Sequence, residues 1–121
     1  MTVDSCDLSA TELASRQCVP CRGGVPPLIE AQYQPLLAQL KAWKVVDHHH
    51  LERTFEFKDF AEALAFVNCV GAVAEQNGHH PDVFLTWGKV RLTIYTHKID
   101  GLTESDFVLA AKCDELLSVP R

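Results

Sequence analysis

A helical pattern runs through the middle of the chain, from Phe60 to Asn77. Asp59 precedes it and Glu62 follows three residues later, which is the spacing of an N-terminal capping box. Gly78 comes directly after it and suits a left-handed C-terminal turn. Apolar residues recur at three- and four-residue steps over a wide face: Phe60, Ala63, Leu64, Phe66, Val67, Val70, Gly71 and Val73. We therefore predict a long helix that lies flat on a β-sheet.

Short β-prone segments flank this helix on both sides. Before it, "WKVV" and "LERTFEF" are joined by "DHHH"; after it, "VFLTW" and "VRLTIYTH" are joined by Gly88 and Lys89. Each pair of segments predicts a β-hairpin. Together with the helices, the hairpins predict an α+β fold in the order α-β-β-α-β-β-α. Its four-stranded antiparallel sheet should have helices packed on one face and an open face on the other.

Further helices are expected towards the two ends of the chain. One lies within Ile29 to Lys41, and the last starts near Thr103. A short helix near Ser9 to Arg16 comes before "CRGGVPPL", whose glycines and prolines end it. We therefore expect an N-terminal arm with a short helix over residues 1–27 and a single domain over residues 28–121.

Composition excludes several classes of protein. The 121 residues have a formal net charge of −5 and no run of Lys or Arg, so a nucleic-acid binder is not expected. No stretch approaches the ~20 apolar residues of a membrane span, and the start lacks a signal-peptide pattern. We expect a cytoplasmic protein with no membrane partner. Its cysteines, including the C-x-x-C at Cys18 and Cys21, should then be reduced thiols, with Cys69 and Cys113 in the core.

Three histidines are predicted to meet at one end of the sheet. His79 and His80 follow the central helix directly, and His97 ends the hairpin that they introduce. A hairpin returns its end beside its start, with paired strands ~4.8 Å apart, so His97 can approach the other two. Imidazoles have an unperturbed pKa of ~6.5 and can both donate and accept protons near neutrality, which favours acid–base catalysis.

Two other interpretations of these histidines stay open from the residues alone. His79 and His80 can be polar residues of a helix C-terminal turn that interact with the last carbonyls. Three histidines are also the ligand set of some catalytic zinc sites, although adjacent histidines diverge from most backbones. The second tract, from His48 to His50, is expected to be a solvated hairpin connection with weak affinity for nickel or zinc.

Several spaced motifs resemble one known family over almost the whole chain from about Cys18. They are "E-x-x-x-H-H-P" from Glu75 to Pro81, Trp87, His97 and Asp106, together with "C-x-x-C-x-G-G-V-P-P-L", Trp43, "FEFKDFAEALAFV" and "G-L-T-E-x-D". This set is similar to bacterial members of the pterin-4a-carbinolamine dehydratases, known in animals also as dimerization cofactors of hepatocyte nuclear factor. The resemblance implies an enzyme that converts 4a-hydroxytetrahydropterin, the product left by aromatic amino-acid hydroxylases, to quinonoid dihydropterin and water.

The resemblance also implies roles for individual residues. His79 and His97 would be the principal acid and base, and His80 would hold and polarise the pterin or share the acid role. The implied substrate-binding residues are Glu75, Pro81, Trp87, Asp106 and Trp43. General acid and base suffice for loss of water from a hemiaminal, so neither a metal nor a cofactor is expected, and the pterin is the substrate. From the residues alone, Asp106 equally suits a capping box with Thr103, and both tryptophans equally suit the core.

The resemblance further implies partners. Family members form dimers or tetramers, and the helical stretch Asp59 to Asn77 and the open edge of the sheet suggest self-association here as well. A phenylalanine hydroxylase is the metabolic partner that the resemblance suggests. Because animal members also stabilise the dimer of a transcription factor, the alternative function is a non-catalytic binding module or coactivator.

Overall fold

The computed structural model describes residues 12–16 and 25–118. Its helices are α1 (Glu12–Ser15), α2 (Glu30–Leu37), α3 (Phe60–Asn77) and α4 (Glu104–Glu115), and a 3-10 helix follows at Leu116–Ser118. Its strands are β1 (Lys44–Val46), β2 (His50–Glu56), β3 (Asp82–Leu85) and β4 (Lys89–Ile94). From α2 onward the elements follow the predicted order α-β-β-α-β-β-α.

The four strands form one antiparallel sheet in the order β1-β2-β4-β3. β1 pairs with β2 and β3 pairs with β4, so each predicted hairpin is present. β2 and β4 join the two hairpins, in a register that runs from Leu51 opposite Ile94 to Glu56 opposite Lys89. The predicted α+β class and the four-stranded antiparallel sheet are confirmed.

The helices cover one face of this sheet. That face is lined by the buried residues Leu51, Phe55, Val90, Leu92 and Ile94, which join a cluster that includes Phe66 of α3 and Phe107 of α4. The alternate strand positions Thr54, Glu56, Phe84 and Arg91 are exposed, so the second face of the sheet is open, as predicted. Within residues 12–16 and 25–118, no helix is both long enough and apolar enough to cross a membrane.

Local signals account for both ends of α3. The Asp59 carboxylate accepts a hydrogen bond from the backbone N–H of Glu62 at 2.9 Å, which caps the first turn. At the other end Gly78 adopts a left-handed φ of 61°, a conformation that costs glycine little because it has no Cβ. The helix therefore begins and ends where the sequence predicts.

The prediction of one wide apolar face on α3 is only partly correct. Ala63, Phe66, Val70 and Val73 are buried against the sheet, whereas Phe60 and Leu64 are more than a third exposed. Apolar residues occupy more of the helix circumference than one sheet can cover. The stripe that contains Phe60 and Leu64 therefore faces outward.

Arg53 interrupts the apolar side of β2 for a reason that the structure makes clear. Its guanidinium forms a 2.7 Å ion pair with Asp114 of α4 and lies 4.3 Å from the centre of the Phe55 ring. Trp43 donates its indole N–H to the same carboxylate at 2.7 Å. These contacts tie β2 to α4 and to the segment before β1.

The short helix α1 packs on α4. Leu13 and Ala14 are fully buried, and the ammonium of Lys112 donates a 2.6 Å hydrogen bond to the carbonyl of Ala14. The predicted start of this helix near Ser9 lies outside the described residues. The division of the chain into an arm and a domain at residue 28 stays a prediction.

The prediction of reduced thiols is wrong for Cys69, which is disulfide-bonded. The other cysteine in the described residues, Cys113, is buried, as predicted. The C-x-x-C at Cys18 and Cys21 lies outside the described residues. The prediction rested on the lack of a signal-peptide pattern, which carries no information about which sulfur atoms the fold brings together.

Candidate active site

His79 is held at the C-terminal end of α3. The backbone N–H groups of Gly78 and His79 both donate to the carbonyl of Ala74, which fixes the chain as it leaves the helix. His79 Nε2 lies 2.6 Å from Asp106 Oδ1, and the imidazole is only 10% exposed. An ionised carboxylate can only accept, so Nε2 carries the proton of the neutral ring. Nδ1 is then the nitrogen that can exchange a proton with a substrate.

Asp106 is a fully buried carboxylate that connects His79 to the second hairpin. Its Oδ2 accepts hydrogen bonds from the Thr96 hydroxyl and from the backbone N–H of Thr103, each at 2.8 Å. Thr96 lies directly before His97, so one carboxylate joins the first histidine to the neighbour of the third. The capping interpretation and the site interpretation of Asp106 are therefore compatible, because each uses a different oxygen.

His80 has a separate carboxylate partner. Its Nε2 lies 2.5 Å from Glu75 Oε2, and Glu75 is in the last turns of α3. Both side chains are largely exposed, so this imidazole is open to solvent and to small molecules. Pro81 follows, partly buried, and leads directly into β3.

The second hairpin returns His97 to this region. Asp82 at the start of β3 is opposite Thr93 of β4, and His97 Nε2 lies 3.9 Å from Asp82 Oδ1. The ring of Tyr95 lies beside the His97 ring, with 4.3 Å between centroids. His97 therefore lies at the start of β3, next to the segment that carries the other two histidines.

Each of the three histidines thus faces its own carboxylate. A neighbouring carboxylate stabilises an imidazolium and fixes which ring nitrogen holds the proton, so the arrangement suits proton donation and acceptance. Across residues 12–16 and 25–118, no three His, Cys, Asp or Glu side chains are grouped as ligands for a metal ion.

Asp47 and His48 of the "DHHH" turn are exposed, as predicted, whereas His49 and His50 are partly buried. The Tyr33 hydroxyl and His48 Nδ1 are 2.6 Å apart, and His49 Nε2 lies 2.7 Å from Asp100 Oδ1. The His49 ring also lies 4.5 Å from the Tyr95 ring, centroid to centroid. The contact between His49 and Tyr95 is not indicated by the sequence. Tyr95 and His97 are two residues apart and so project to the same side of an extended chain, but no local pattern indicates that the first hairpin reaches them.

The two tryptophans lie in different parts of the fold, the β3–β4 turn and the core. Trp87 is in the β3–β4 turn and lines an open cavity of about 680 Å³ with Phe84 and Arg91, and no histidine is among the described lining residues. Trp43 is buried, with its ring edge-to-face on Phe55 at 6.0 Å. Trp87 therefore has the contacts of a residue at a hairpin tip, and Trp43 has those of a core aromatic. A role for either in binding substrate stays a prediction.

An α+β domain in which three histidines each lie beside a carboxylate has side chains that can donate and accept protons. Comparisons with known proteins identify its family. The family model described as pterin 4 alpha carbinolamine dehydratase matches residues 26–116. A protein of Rubrobacter xylanophilus, provisionally named pterin-4-alpha-carbinolamine dehydratase, is 58% identical over 88% of this chain and 99% of its own. The chain belongs to the pterin-4a-carbinolamine dehydratase family.

Solved structures share the fold. A transcriptional coactivator/pterin dehydratase from Brucella melitensis superposes with a TM-score of 0.70 at 34% identity, covering 74% of this chain and 97% of that one. A pterin dehydratase-like protein described as a RuBisCO assembly factor of the alpha-carboxysome has a TM-score of 0.56 at 23% identity, over 66% of this chain and 94% of that one. The second likeness concerns the fold alone.

Proposed function

We propose that this protein dehydrates 4a-hydroxytetrahydropterin to quinonoid dihydropterin by histidine acid–base catalysis, and so recycles the pterin of aromatic amino-acid hydroxylation. The observation that carries the proposal is the pairing of His79, His80 and His97 with three different carboxylates at one end of the sheet. Family membership supports the substrate class.

The proposed reaction is the loss of water from a hemiaminal. An imidazolium gives a proton to the departing hydroxyl, which leaves as water. The lone pair of the neighbouring ring nitrogen forms the new carbon–nitrogen double bond, and a neutral imidazole takes the proton of that nitrogen. One proton is given and one is taken, so the enzyme returns to its starting charge without a metal or a cofactor.

His79 and His97 are the proposed acid and base, and His80 polarises the pterin or shares the acid role. Asp106 is fully buried, so it is proposed to act on the substrate through His79 rather than by direct contact. Glu75 is largely exposed beside His80, where it can orient that imidazole or receive a donor group of the pterin. Pro81, Trp87 and Trp43 complete the proposed substrate-binding set.

The test is the rate at which freshly generated 4a-hydroxytetrahydropterin loses water, followed by absorbance in metal-free buffer. Purified protein is expected to accelerate the reaction above the uncatalysed rate, and a chelator should leave the acceleration unchanged. Activity that a chelator abolishes and zinc restores would overturn the proposed mechanism.

A non-catalytic binding module is the second candidate function. Val83, Phe84 and Trp87 are 43%, 51% and 68% exposed on the edge hairpin, an apolar surface that can receive a protein. The Brucella melitensis relative is described as a transcriptional coactivator as well as a dehydratase. A well-folded wild-type protein that leaves the dehydration rate at its uncatalysed value would favour this candidate.

Self-association is also proposed. The outward stripe of α3 exposes Phe60 and Leu64, and β3 is an edge strand with exposed Val83 and Phe84. An edge strand that no helix or loop covers pairs readily with a strand of another chain. We expect a homodimer or homotetramer, measured as molar mass by light scattering after size-exclusion chromatography. A phenylalanine hydroxylase remains the proposed metabolic partner.

A further inference from the structure

A chain of ring contacts connects the "DHHH" turn to the candidate active site. The His49 ring lies 4.5 Å from the Tyr95 ring, and the Tyr95 ring lies 4.3 Å from the His97 ring, centroid to centroid. Tyr95 is therefore between the two imidazoles. Contacts of this length are within the range of favourable packing between aromatic rings.

The orientation of the His97 ring depends on its packing against Tyr95, because its polar contact with Asp82 is weak. Its side chain is 59% exposed, and its separation of 3.9 Å from Asp82 is too long for a hydrogen bond. An exposed ion pair of this kind restrains a side chain little. By contrast, His79 is nearly buried and has a 2.6 Å partner. Packing on Tyr95 is thus the closer restraint on the His97 ring.

His49 is itself held on two sides. Its Nε2 lies 2.7 Å from Asp100 Oδ1, and its Nδ1 lies 3.1 Å from His50 Nδ1. Asp100 belongs to the turn over residues 97–100, which also carries His97. That turn is closed by a hydrogen bond from the backbone N–H of Thr96 to the carbonyl of Gly101 at 2.9 Å. His49 therefore contacts both the Tyr95 ring and the turn that holds His97.

The geometry of the first hairpin fixes where His49 lies. Asp47 and His48 both have a left-handed φ of 54°, and the backbone N–H of His49 donates to the carbonyl of Val46 at 2.9 Å. Two left-handed central residues with this hydrogen bond form the tight turn that matches the twist of a hairpin. The turn directs His49 towards Tyr95 and leaves His48 beside Tyr33.

We propose that His49 and Tyr95 are positioning residues for His97: they hold its imidazole in the orientation that proton transfer to or from the pterin requires. This inference rests on the proposed function. Neither residue touches the reacting atoms, and each acts through His97.

The test compares matched substitutions on one turn. His49→Asn removes the ring next to Tyr95, and His48→Asn removes a neighbouring imidazole that lies outside the chain of rings; asparagine also tolerates the left-handed φ of position 48. We expect His49→Asn to lower kcat about tenfold with little change in KM, because small misplacement of a catalytic group is costly. His48→Asn should keep kcat. His49→Phe, which retains a ring, should recover most of the loss.

A double variant distinguishes positioning from general damage. If His49 acts through His97, His49→Asn combined with His97→Ala should be no slower than His97→Ala alone. Losses that multiply, or an unchanged kcat in His49→Asn, would contradict the inference. Equal melting temperatures of His49→Asn and His48→Asn would exclude unfolding as the cause.

A spectroscopic measurement separates this inference from the proposed function. The imidazole C–H resonances of His97 should shift in the NMR spectra of His49→Asn and Tyr95→Leu. Tyr95→Leu removes the ring current that acts on them, and His49→Asn removes the ring that packs on Tyr95 and so changes the position of the Tyr95 ring. They should stay in place in His48→Asn. This readout needs no activity, so an inactive wild-type protein would contradict the proposed function and still leave the ring contact tested. Unmoved His97 resonances in both variants would overturn the positioning role.

Discussion

Asp106 uses its two oxygens for different purposes. One oxygen accepts from His79, and the other accepts from the Thr96 hydroxyl and from the first turn of α4 at Thr103. The carboxylate is fully buried, so no solvent screens these contacts. Loss of its charge should therefore affect both the proposed proton transfers of His79 and the stability of the fold.

Asp106→Asn tests the electrostatic part of this arrangement. The amide has nearly the same shape but cannot stabilise an imidazolium, so kcat should fall by about 10²-fold or more, within the range for general acid–base groups. The melting temperature should fall too, since charge-assisted hydrogen bonds are replaced by neutral ones. Steady-state kinetics and thermal denaturation provide the two readouts.

Glu104→Gln is the matched control, because Glu104 is an exposed acid in the same helical turn, paired with Arg16. It should leave kcat unchanged. An Asp106→Asn enzyme as fast as the Glu104→Gln enzyme would show that the buried charge does not support catalysis.

At the scale of elements, the end of α3 determines where the histidine pair lies. Gly78 reverses the backbone with a φ of 61°, and His79 follows at once. A Cβ at Gly78 would meet nothing within 4 Å, and the same is true at Gly71 inside the helix. The two glycines therefore differ in backbone conformation and not in available space.

Gly78→Ala should destabilise the protein by about 1 kcal/mol, because a left-handed conformation is costly for any residue with a Cβ. Gly71→Ala should stabilise it by about 0.5–1 kcal/mol, because alanine loses less backbone entropy in a helix. Urea denaturation measures both values. Equal effects of the two substitutions would contradict the assigned role of Gly78.

The elements that could be predicted from sequence are those with local signals. The limits of α3 follow from Asp59 and Gly78, which act within a few residues of the helix ends. The face of α3 that packs on the sheet could not be predicted fully, because apolar residues surround much of the helix. The contact between His49 and Tyr95 joins two hairpins through turn geometry, which leaves no periodic pattern in the sequence. The disulfide of Cys69 likewise depends on tertiary proximity.

At the scale of the whole molecule, the partly buried charges of Arg53 and Asp114 join the sheet to α4. Burial raises the pKa of Asp114, although hydrogen bonds from Trp43 and the charge of Arg53 act in the opposite direction. A raised pKa means that the folded protein binds more protons than the unfolded chain just above the ordinary aspartate value of 3.8. The contribution of Asp114 to stability is therefore largest below that value and is lost as pH rises through the folded pKa.

Asp114→Asn removes this titration. In wild type, the titration of Asp114 should lower the free energy of unfolding as pH rises from about 4. The variant should lack this decline, whether it is more or less stable than wild type at any single pH. Urea denaturation at a series of pH values gives the two curves. Asp47→Asn, at an exposed turn carboxylate, is the control and should follow wild type. Parallel curves for wild type and Asp114→Asn would contradict the raised pKa.

His79 and His97 are proposed to perform the proton transfers of dehydration. The most direct measurement is the rate of dehydration of freshly generated 4a-hydroxytetrahydropterin by the His79→Ala, His97→Ala double variant in metal-free buffer, with a melting curve to verify folding. The predicted result is a folded protein whose rate is at least about 10²-fold below wild type. A folded double variant that is as fast as wild type would contradict the claim and remove both histidines from the site.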